Sequence, residues 1–504
     1  MASPHLFTET DRRENEMDTI FYKPEDKATG FPGMRPPKTV RAAVAAIAAA
    51  MWALGCATVS PTAPTAAPPP ASPPVVQEAA RPRPPLQPIP PAPPGVKTLA
   101  RASIAAVGDV LMHAAVKDAA ADHREPGNDD GFGWLWSPVA DLLAGADLTF
   151  ANLETPIAPR AGQGSRSFVF NAPPAAVSAL QRAGVDLVSV ANNHMFDQGR
   201  PGFEETLREL DRMGMPYVGG GEAGHEAGPR LVTLNGITVA FLGYAYGFNQ
   251  PGNDCPAPAA RRGRPCLQAS LLDGDRAVAD VAAAARQADA VVVSVHWGVE
   301  YEQQPREAEV ALARRLAEAG ALVVLGHHPH VLQPVELYPR ADGRTALIAY
   351  SLGNFVSNQS RHYVHGITPE KVGATRDGMI LRAELARRDY GRGVVRVELA
   401  GADWLPLWTE NDTDDAERRL RKARPAIQVV SLDRVLAGVL RELSALPDPL
   451  PEADQARYVK LRQREELYRA RRTAIAAVAG EDLEAEAPAA AAEAREANVS
   501  APSR

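Results

Sequence analysis

The densest chemistry in the chain is His327-His328-Pro329-His330, three imidazoles within four positions. One histidine alone is most often a satisfied core or surface residue. Three together after an apolar run read as metal ligands, because neutral imidazole binds Zn, Mn and Fe. Five sparser motifs share the same setting: Gly108-Asp109 with His113, Asn152-Leu153-Glu154, Asn192-Asn193-His194, His296-Trp297-Gly298 and Ser351-Leu352-Gly353-Asn354. Taken singly, Gly108-Asp109 is equally a turn, the Trp297 motif could be core packing though its place at a strand end favours the site, and Asn354 is either a substrate contact or a turn cap. Taken together, they supply two carboxylates, several imidazoles and an amide carbonyl, enough for one or two divalent ions. A bound divalent ion would bring the pKa of its water to about 7 and neutralise charge developing on a phosphoryl or carbonyl oxygen. A histidine beside the ion could protonate a leaving group. His194 suits that role, because its neighbour Asn193 can act as the ligand. Asp197, three residues on, could orient His194 or bind metal itself.

Such residues meet only if the fold brings them together. Short β-branched or apolar runs precede them: Ser103–Val107, Leu148–Ala151, Val185–Val190, Ala290–Val295 and Ala321–Leu325. Helical patterns alternate with them at Pro138–Ala146, Pro174–Ala183, Gly202–Met213, Arg276–Ala288 and Arg306–Ala319. The alternation predicts parallel βαβ units, whose carboxyl ends converge on one crevice. Asn235-Gly236 between Leu231–Leu234 and Ile237–Tyr244 signals a hairpin. Further strands are expected at Val335–Tyr338, Ala346–Ser351, Met379–Leu385 and Val394–Leu399. The fold class is therefore α/β, with two packed mixed sheets and helices outside. Beyond Thr413, Ala416–Arg424, Leu432–Leu446 and Ala453–Val478 read as helices, the last either a solvated face or a contact with the core domain.

The chain has 504 residues, 45 % hydrophobic and 23 % charged, which excludes wholesale disorder and an all-membrane protein. A net charge of −7 provides no global field for nucleic acid. Ala42 to Leu54 is a short apolar run after Arg35, Lys38 and Arg41. It falls short of the roughly 20 residues that span a bilayer and reads as a secretory signal. Cys56 directly after Gly55 resembles the lipobox of bacterial lipoproteins, which implies lipidation at Cys56 and a membrane partner through that lipid. Residues 1–33 are polar and foreign to such a signal, so translation is expected to start at Met34, with the signal over 34–55. Fifteen prolines fall between Pro61 and Pro94, marking 56–98 as an extended spacer. The remaining expected units are a catalytic-type domain over 99–411, a helical extension over 412–480 and a disordered tail over 481–504. In an oxidising compartment Cys255 and Cys266 are expected to pair and staple a loop at the site entrance.

The set VGDVLMH, ANLETPI, ANNHMFDQG, VHWGVEY, LGHHPHVLQPVE and YSLGNFV, in that order, resembles the CapA-like family, named for poly-γ-glutamate capsule synthesis. The likeness runs from about Ser103 to Leu399. That family is similar to the calcineurin-like metallophosphoesterases, so the resemblance implies a four-layer α/β/β/α sandwich. It implies Asp109, Glu154, Asn193, His296, His328 and His330 as ligands of one or two divalent ions (Zn, Mn or Fe). It implies His194 as the acid/base. Asp197 is expected to act with it, and His113, His327 and Asn354 to contact substrate. The chain departs from the metallophosphoesterase pattern in three places: His113 lies four residues after Asp109 rather than two, Asp197 is not adjacent to His194, and Glu154 replaces a bridging Asp.

Three readings follow. One is an envelope-anchored metallohydrolase acting on a phosphoester or an anionic polymer such as poly-γ-glutamate. The second is a non-catalytic, metal-containing lipoprotein that binds capsule polymer or serves in capsule assembly, among capsule-synthesis membrane proteins. The third is a lipoprotein partner whose C-terminal helices dock an envelope complex while the site is vestigial. A vestigial site is disfavoured by the complete set of ligand-type residues.

Overall fold

The computed structural model of the chain describes residues 89, 91–124, 130–164, 168–261, 263–412 and 426–480. The expected signal, Cys56, most of the spacer, the Ala416–Arg424 helix and the tail lie outside those residues.

Two mixed sheets carry the fold. The first is ordered β16 (Ile427–Ser431), β15 (Val395–Asn411), β14 (Asp377–Asp389), β1 (Lys97–Val110), β2 (Leu148–Asn152), β3 (Leu187–Ser189) and β4 (Tyr217–Val218), with β13 (Asn354–Val356) paired to the end of β1. The second is ordered β11 (Val335–Pro339), β12 (Thr345–Ala349), β10 (Ala321–His327), β9 (Ala290–His296), β7 (Ile237–Ala245) and β6 (Arg230–Leu234). A small ribbon pairs β5 (Gly220–Glu222) with β8 (Leu267–Ala269). Strands β1 to β4 are parallel, as are β7, β9, β10 and β12, while β14 to β16 and the β6–β7 hairpin are antiparallel.

Side-chain alternation divides the core. Ile104 and Ala106 of the first sheet meet Val239, Phe241, Val292, Val323 and Leu325 of the second in one shared apolar layer. The opposite face of the first sheet, through Ala105, Val107 and Val188, packs on helices α1 (Ala114–Asp122), α2 (Pro174–Arg182) and α3 (Gly199–Met213). The opposite face of the second sheet packs on α4 (Gly274–Ala284) and α5 (Glu307–Ala319). The helices α6 (Leu432–Ser444) and α7 (Gln455–Ala479) instead join the shared layer, covering β14 and β15 through Val439, Leu461, Tyr468 and Ile475.

Two local expectations change. The stretch from Pro138 is not one α-helix: Phe132–Val139 is a 3-10 helix enclosing that proline, and only Ala140–Leu143 is α-helical. The segment 412–480 is not purely helical either, because Ile427–Ser431 adds an edge strand against β15. The charged C-terminal helix is a contact with the core rather than a solvated face.

Candidate metal centre

Register brings the motifs abreast. Asp109 pairs with Asn152 on one side and Asn354 on the other, and Asn152 pairs with Ser189. In the second sheet Ala245, His296 and His327 stand in one row. A register shift between Ala106 and Asp109 reverses the alternation of β1. Ala105 and Val107 face the outer helices, and beyond the shift Val110 and Met112 do. Asp109 is thereby turned toward the second sheet.

Gly108-Asp109 is therefore not a turn. A Cβ on Gly108 would stand 1.9 Å from the Gly353 carbonyl oxygen, so glycine is what lets β13 close on β1. Gly326 plays the same part beside His327, where a Cβ would stand 1.9 Å from the Tyr350 oxygen. Past β10 the backbone enters the left-handed region at His328 (φ 98°) and His330 (φ 56°), conformations that non-glycine residues rarely adopt and that cluster at functional sites. Those two residues swing their imidazoles into the crevice.

All six residues expected as ligands are buried. His296 Nε2 lies 3.0 Å from Asn193 Oδ1 and 3.4 Å from Glu154 Oε1, and His330 Nε2 lies 3.9 Å from Glu154 Oε1. The His296 and His328 rings are 4.8 Å apart. Two triads, Asp109–Glu154–His296 and Glu154–His328–His330, each hold their donor atoms within 4.8 Å of one another. Both Glu154 oxygens and His328 Nδ1 are buried with no hydrogen-bond partner among the described residues. Burying a carboxylate that way is costly unless a cation satisfies it. The donor set and its orphaned atoms thus fit a divalent ion.

The electrostatics agree. Burial pushes the Glu154 carboxyl well above its ordinary range, and the Asp109 and Glu300 charges push it further. Burial likewise raises Asp109, but hydrogen bonds and charge from His327 and His330 outweigh it and hold that carboxyl well below the usual range. Burial and the neighbouring His328 bring His296 well below a normal imidazole, and burial with His330 brings His328 to about 3. His330 is lowered by burial yet raised overall by its bond to Asp109.

Around these ligands sits an orienting layer. Asp109 Oδ2 accepts from the His328 backbone N–H at 3.2 Å and from His330 Nδ1 at 3.1 Å. Asn354 Oδ1 accepts from the same Nδ1 at 3.1 Å, which leaves the Nε2 lone pair of His330 facing the crevice. Asn152 Nδ2 lies 2.9 Å from Asp109 Oδ1 and 3.2 Å from His296 Nδ1. His194 Nδ1 is 2.8 Å from Asp197 Oδ2, which also accepts the Phe170 N–H, so Asp197 orients the ring. A cleft of about 220 Å³ opens beside them, lined by Ala161, Gln163, Gly164, Val169, Asp197 and Gln198.

The expected substrate contacts fare differently. His113 is half-buried, its Nδ1 accepting the Asn358 N–H at 3.3 Å and its ring edge-on to Phe170. His327 is 0 % exposed, 3.2 Å from Asp109 Oδ1 and against Phe150, so it backs Asp109. The reason is strand alternation: His327 continues the face of Val323 and Leu325 into the shared layer. Asn354 is buried too, and its Oδ1 orients His330. Cys255 and Cys266 form a disulfide in the loop after β7. The same loop places Asn249 Nδ2 3.5 Å from His194 Nε2. Sequence reasoning missed Asn152, Asn249 and Glu300, the last 3.8 Å from His330 Nε2. An amide at a strand end reads as a cap, and a glutamate in a polar loop carries no signal of its own.

Fold and site together define an α/β protein with a buried carboxylate–imidazole centre where the strands of two sheets end. The family model of the bacterial capsule synthesis protein PGA_cap matches residues 103–359, and the chain belongs to that family. It is 30 % identical over 294 residues to the PGA biosynthesis protein CapA of Bacillus subtilis, covering 57 % of this chain and 68 % of the relative. It is 30 % identical over 266 residues to the capsule biosynthesis protein CapA of Bacillus anthracis, covering 50 % and 59 %. A probable polyglutamine synthesis accessory protein of Mycobacterium tuberculosis is 29 % identical over 245 residues, covering 45 % and 60 %.

Proposed function

We propose that this protein is a metal-dependent hydrolase of the cell envelope that acts in poly-γ-glutamate capsule synthesis. Its fold is read as the four-layer α/β/β/α sandwich of the metallophosphoesterases. The observation that carries the proposal is the buried Glu154 carboxyl, without a hydrogen-bond partner among the described residues and set among His296, His328 and His330, with the His194–Asp197 pair beside it. Asp109, Glu154, Asn193, His296, His328 and His330 would hold one or two ions of Zn, Mn or Fe. When bound, such an ion supplies Lewis acidity and acidifies water to a pKa of about 7.

The chain's own residues do the rest. Asp197 Oδ2 fixes the His194 ring, leaving Nε2 as the atom that delivers a proton to the leaving group. Asn354 and Asp109 hold the His330 tautomer, and Asn152 holds the Asp109 carboxylate. The substrate is read as a phosphoester or an anionic capsule polymer, in keeping with the names of the relatives. The Cys56 lipid would keep the protein at the envelope, where capsule-synthesis membrane proteins are its natural neighbours. Among the described residues no helix is long and apolar enough to cross a membrane.

The test is metal analysis of the purified protein, paired with turnover of poly-γ-glutamate and of a chromogenic phosphodiester. Wild type is expected to carry near-stoichiometric Zn, Mn or Fe that His328→Ala loses. His194→Ala should keep the metal and lose about 10²–10⁴-fold in turnover. Metal and polymer binding with no wild-type turnover would replace this reading with the non-catalytic, polymer-binding one. Cys56→Ala is expected to move the protein out of the membrane fraction.

A further inference from the structure

We infer that the C-terminal helix α7, acting through Arg471, is a positioning element of the metal centre. The inference rests on the metal reading above, and α7 lies outside the family-matched residues 103–359.

The helix buries one stripe: Leu461, Glu465, Tyr468, Arg471, Ile475 and Ala479. An arginine within that stripe, only 2 % exposed, is anomalous. All three of its nitrogens donate. Nε donates to Asp377 Oδ1 at 3.0 Å, Nη2 to Asp377 Oδ2, and Nη1 to the Glu370 carbonyl at 3.1 Å and to Glu370 Oε2 at 3.0 Å. The guanidinium also lies against the Tyr363 and Trp408 rings, at 5.7 and 5.6 Å. A buried ion pair is poor value for stability alone, since an apolar side chain of similar volume often serves as well or better. What an arginine fork adds is direction.

Both of its targets lead to the metal centre. Asp377 opens β14, and its neighbour Gly378 bridges Gly353. The packing there is tight, because a Cβ on Gly353 would stand 2.8 Å from the Asp377 backbone carbonyl oxygen. Gly353 in turn accepts the Asp109 N–H at 2.9 Å. Glu370 begins the short helix Glu370–Gly373, which runs into Ala374–Arg376. Within that turn Thr375 offers its carbonyl to Asn354 Nδ2 at 2.9 Å. Arg376 pins the turn from the other side, stacking 4.2 Å from the Trp408 centroid and donating to the Thr409 carbonyl at 2.8 Å. The two arms therefore close on Gly353-Asn354, the dipeptide that aligns Asp109 and fixes the His330 tautomer. Arg471 touches neither metal ligand and acts through these contacts.

The test separates position from stability. Arg471→Met alone strands a buried Asp377, so the decisive variant is Arg471→Met with Asp377→Asn, in the full-length protein. Stability is read by thermal unfolding without metal. Metal affinity is read by Zn²⁺ titration against a chelating dye, and ligand geometry by the visible absorption of the Co²⁺-loaded protein. The double variant is expected to unfold within a few degrees of wild type, bind Zn²⁺ about tenfold more weakly and show a displaced Co²⁺ band, the effect typical of lost outer-shell support. Arg471→Lys, which keeps the charge and loses the fork, should fall between wild type and double variant in affinity. Wild-type affinity and an unshifted band in both folded variants overturn the inference. If wild type binds neither ion, the metal reading fails and this inference fails with it.

Discussion

A buried histidine that is to hold a cation must be neutral, and a buried carboxylate that is to hold one must be charged. At His296 and His328 the first condition is met in advance, and at Glu154 the second is met by the ion. His328 is held at about 3 and His296 well below its ordinary value, both mainly by burial. Glu154 is pushed the other way, mainly by burial. The signs of linkage follow. Between an unfolded imidazole value of about 6.5 and a folded one near 3, the unfolded chain binds protons that the folded chain refuses, so this stability is complete above about pH 6.5 and lost toward pH 3. Glu154 opposes it: its raised value stabilises the metal-free fold at low pH, and that contribution is lost as pH rises through the folded value. An ion removes this conflict, since it replaces the proton on Glu154. Metal stabilisation is therefore expected to shrink on acidification, with affinity falling about tenfold per pH unit for each linked proton. Melting curves of metal-stripped protein with and without Zn²⁺, at pH 7.5 and 5.5, check this. An equal metal-induced rise at both pH values would contradict it.

Among the elements, the crossing of β1 and β13 leaves little tolerance. The Gly108 Cα faces backbone on the side where a methyl would sit, with the Gly353 oxygen at 1.9 Å and the Leu352 oxygen at 2.8 Å. Neither can rotate away as a side chain would. Gly108→Ala is expected to cost about 1–3 kcal/mol or more, as overpacking does, and to abolish metal binding by parting Asp109 from Asn354. Gly438→Ala in α6, whose new methyl meets nothing nearer than 3.9 Å, is the control. It should gain about 0.5–1 kcal/mol of helix stability. Chemical denaturation reads both, and an unharmed Gly108→Ala protein would disprove the crossing argument. The same elements show what was legible in advance. Runs such as Ala290–Val295 and Ala321–Leu325 announce buried parallel strands, and the polar residue ending each run announces the crevice. The hairpin at Asn235-Gly236 is equally plain, both residues taking positive φ. Hidden were the features set by partners distant in sequence. The reversal of alternation before Asp109 depends on β2, and the glycine at 108 depends on Gly353. The role of Asn354 depends on His330. His327 is the instructive case, because composition groups it with its two neighbours while strand period sends it to the opposite side of Asp109.

For the molecule as a whole, the first sheet has eight strands and the second six, and β15 meets both β12 of the second sheet and the C-terminal helices. Helices α6 and α7 add cover, joining Val439, Leu461, Tyr468 and Ile475 to the layer that holds Trp404, Trp408 and Leu381. The C-terminal segment is thus part of the core despite its charged sequence. Burying each of Leu461 and Ile475 contributes about 1.5–3 kcal/mol, and Tyr468, bonded to Glu410, adds a comparable amount. Their sum is a large fraction of the roughly 5–15 kcal/mol that holds a domain folded. Losing α7 also uncovers Tyr363 and Trp408 and leaves the Asp377 carboxylate buried without Arg471. Deletion of residues 455–480 is therefore expected to yield aggregated protein or one without a cooperative unfolding transition. Tyr468→Phe, which keeps the ring and loses the hydroxyl's bonds to Glu410 and from Arg464, should stay soluble and melt a few degrees lower, at about 2–4 °C per kcal/mol. Solubility and calorimetry of the two variants decide the matter. A soluble deletion variant with a wild-type melting transition would show that the sheets need no third partner and that α7 is an appendage.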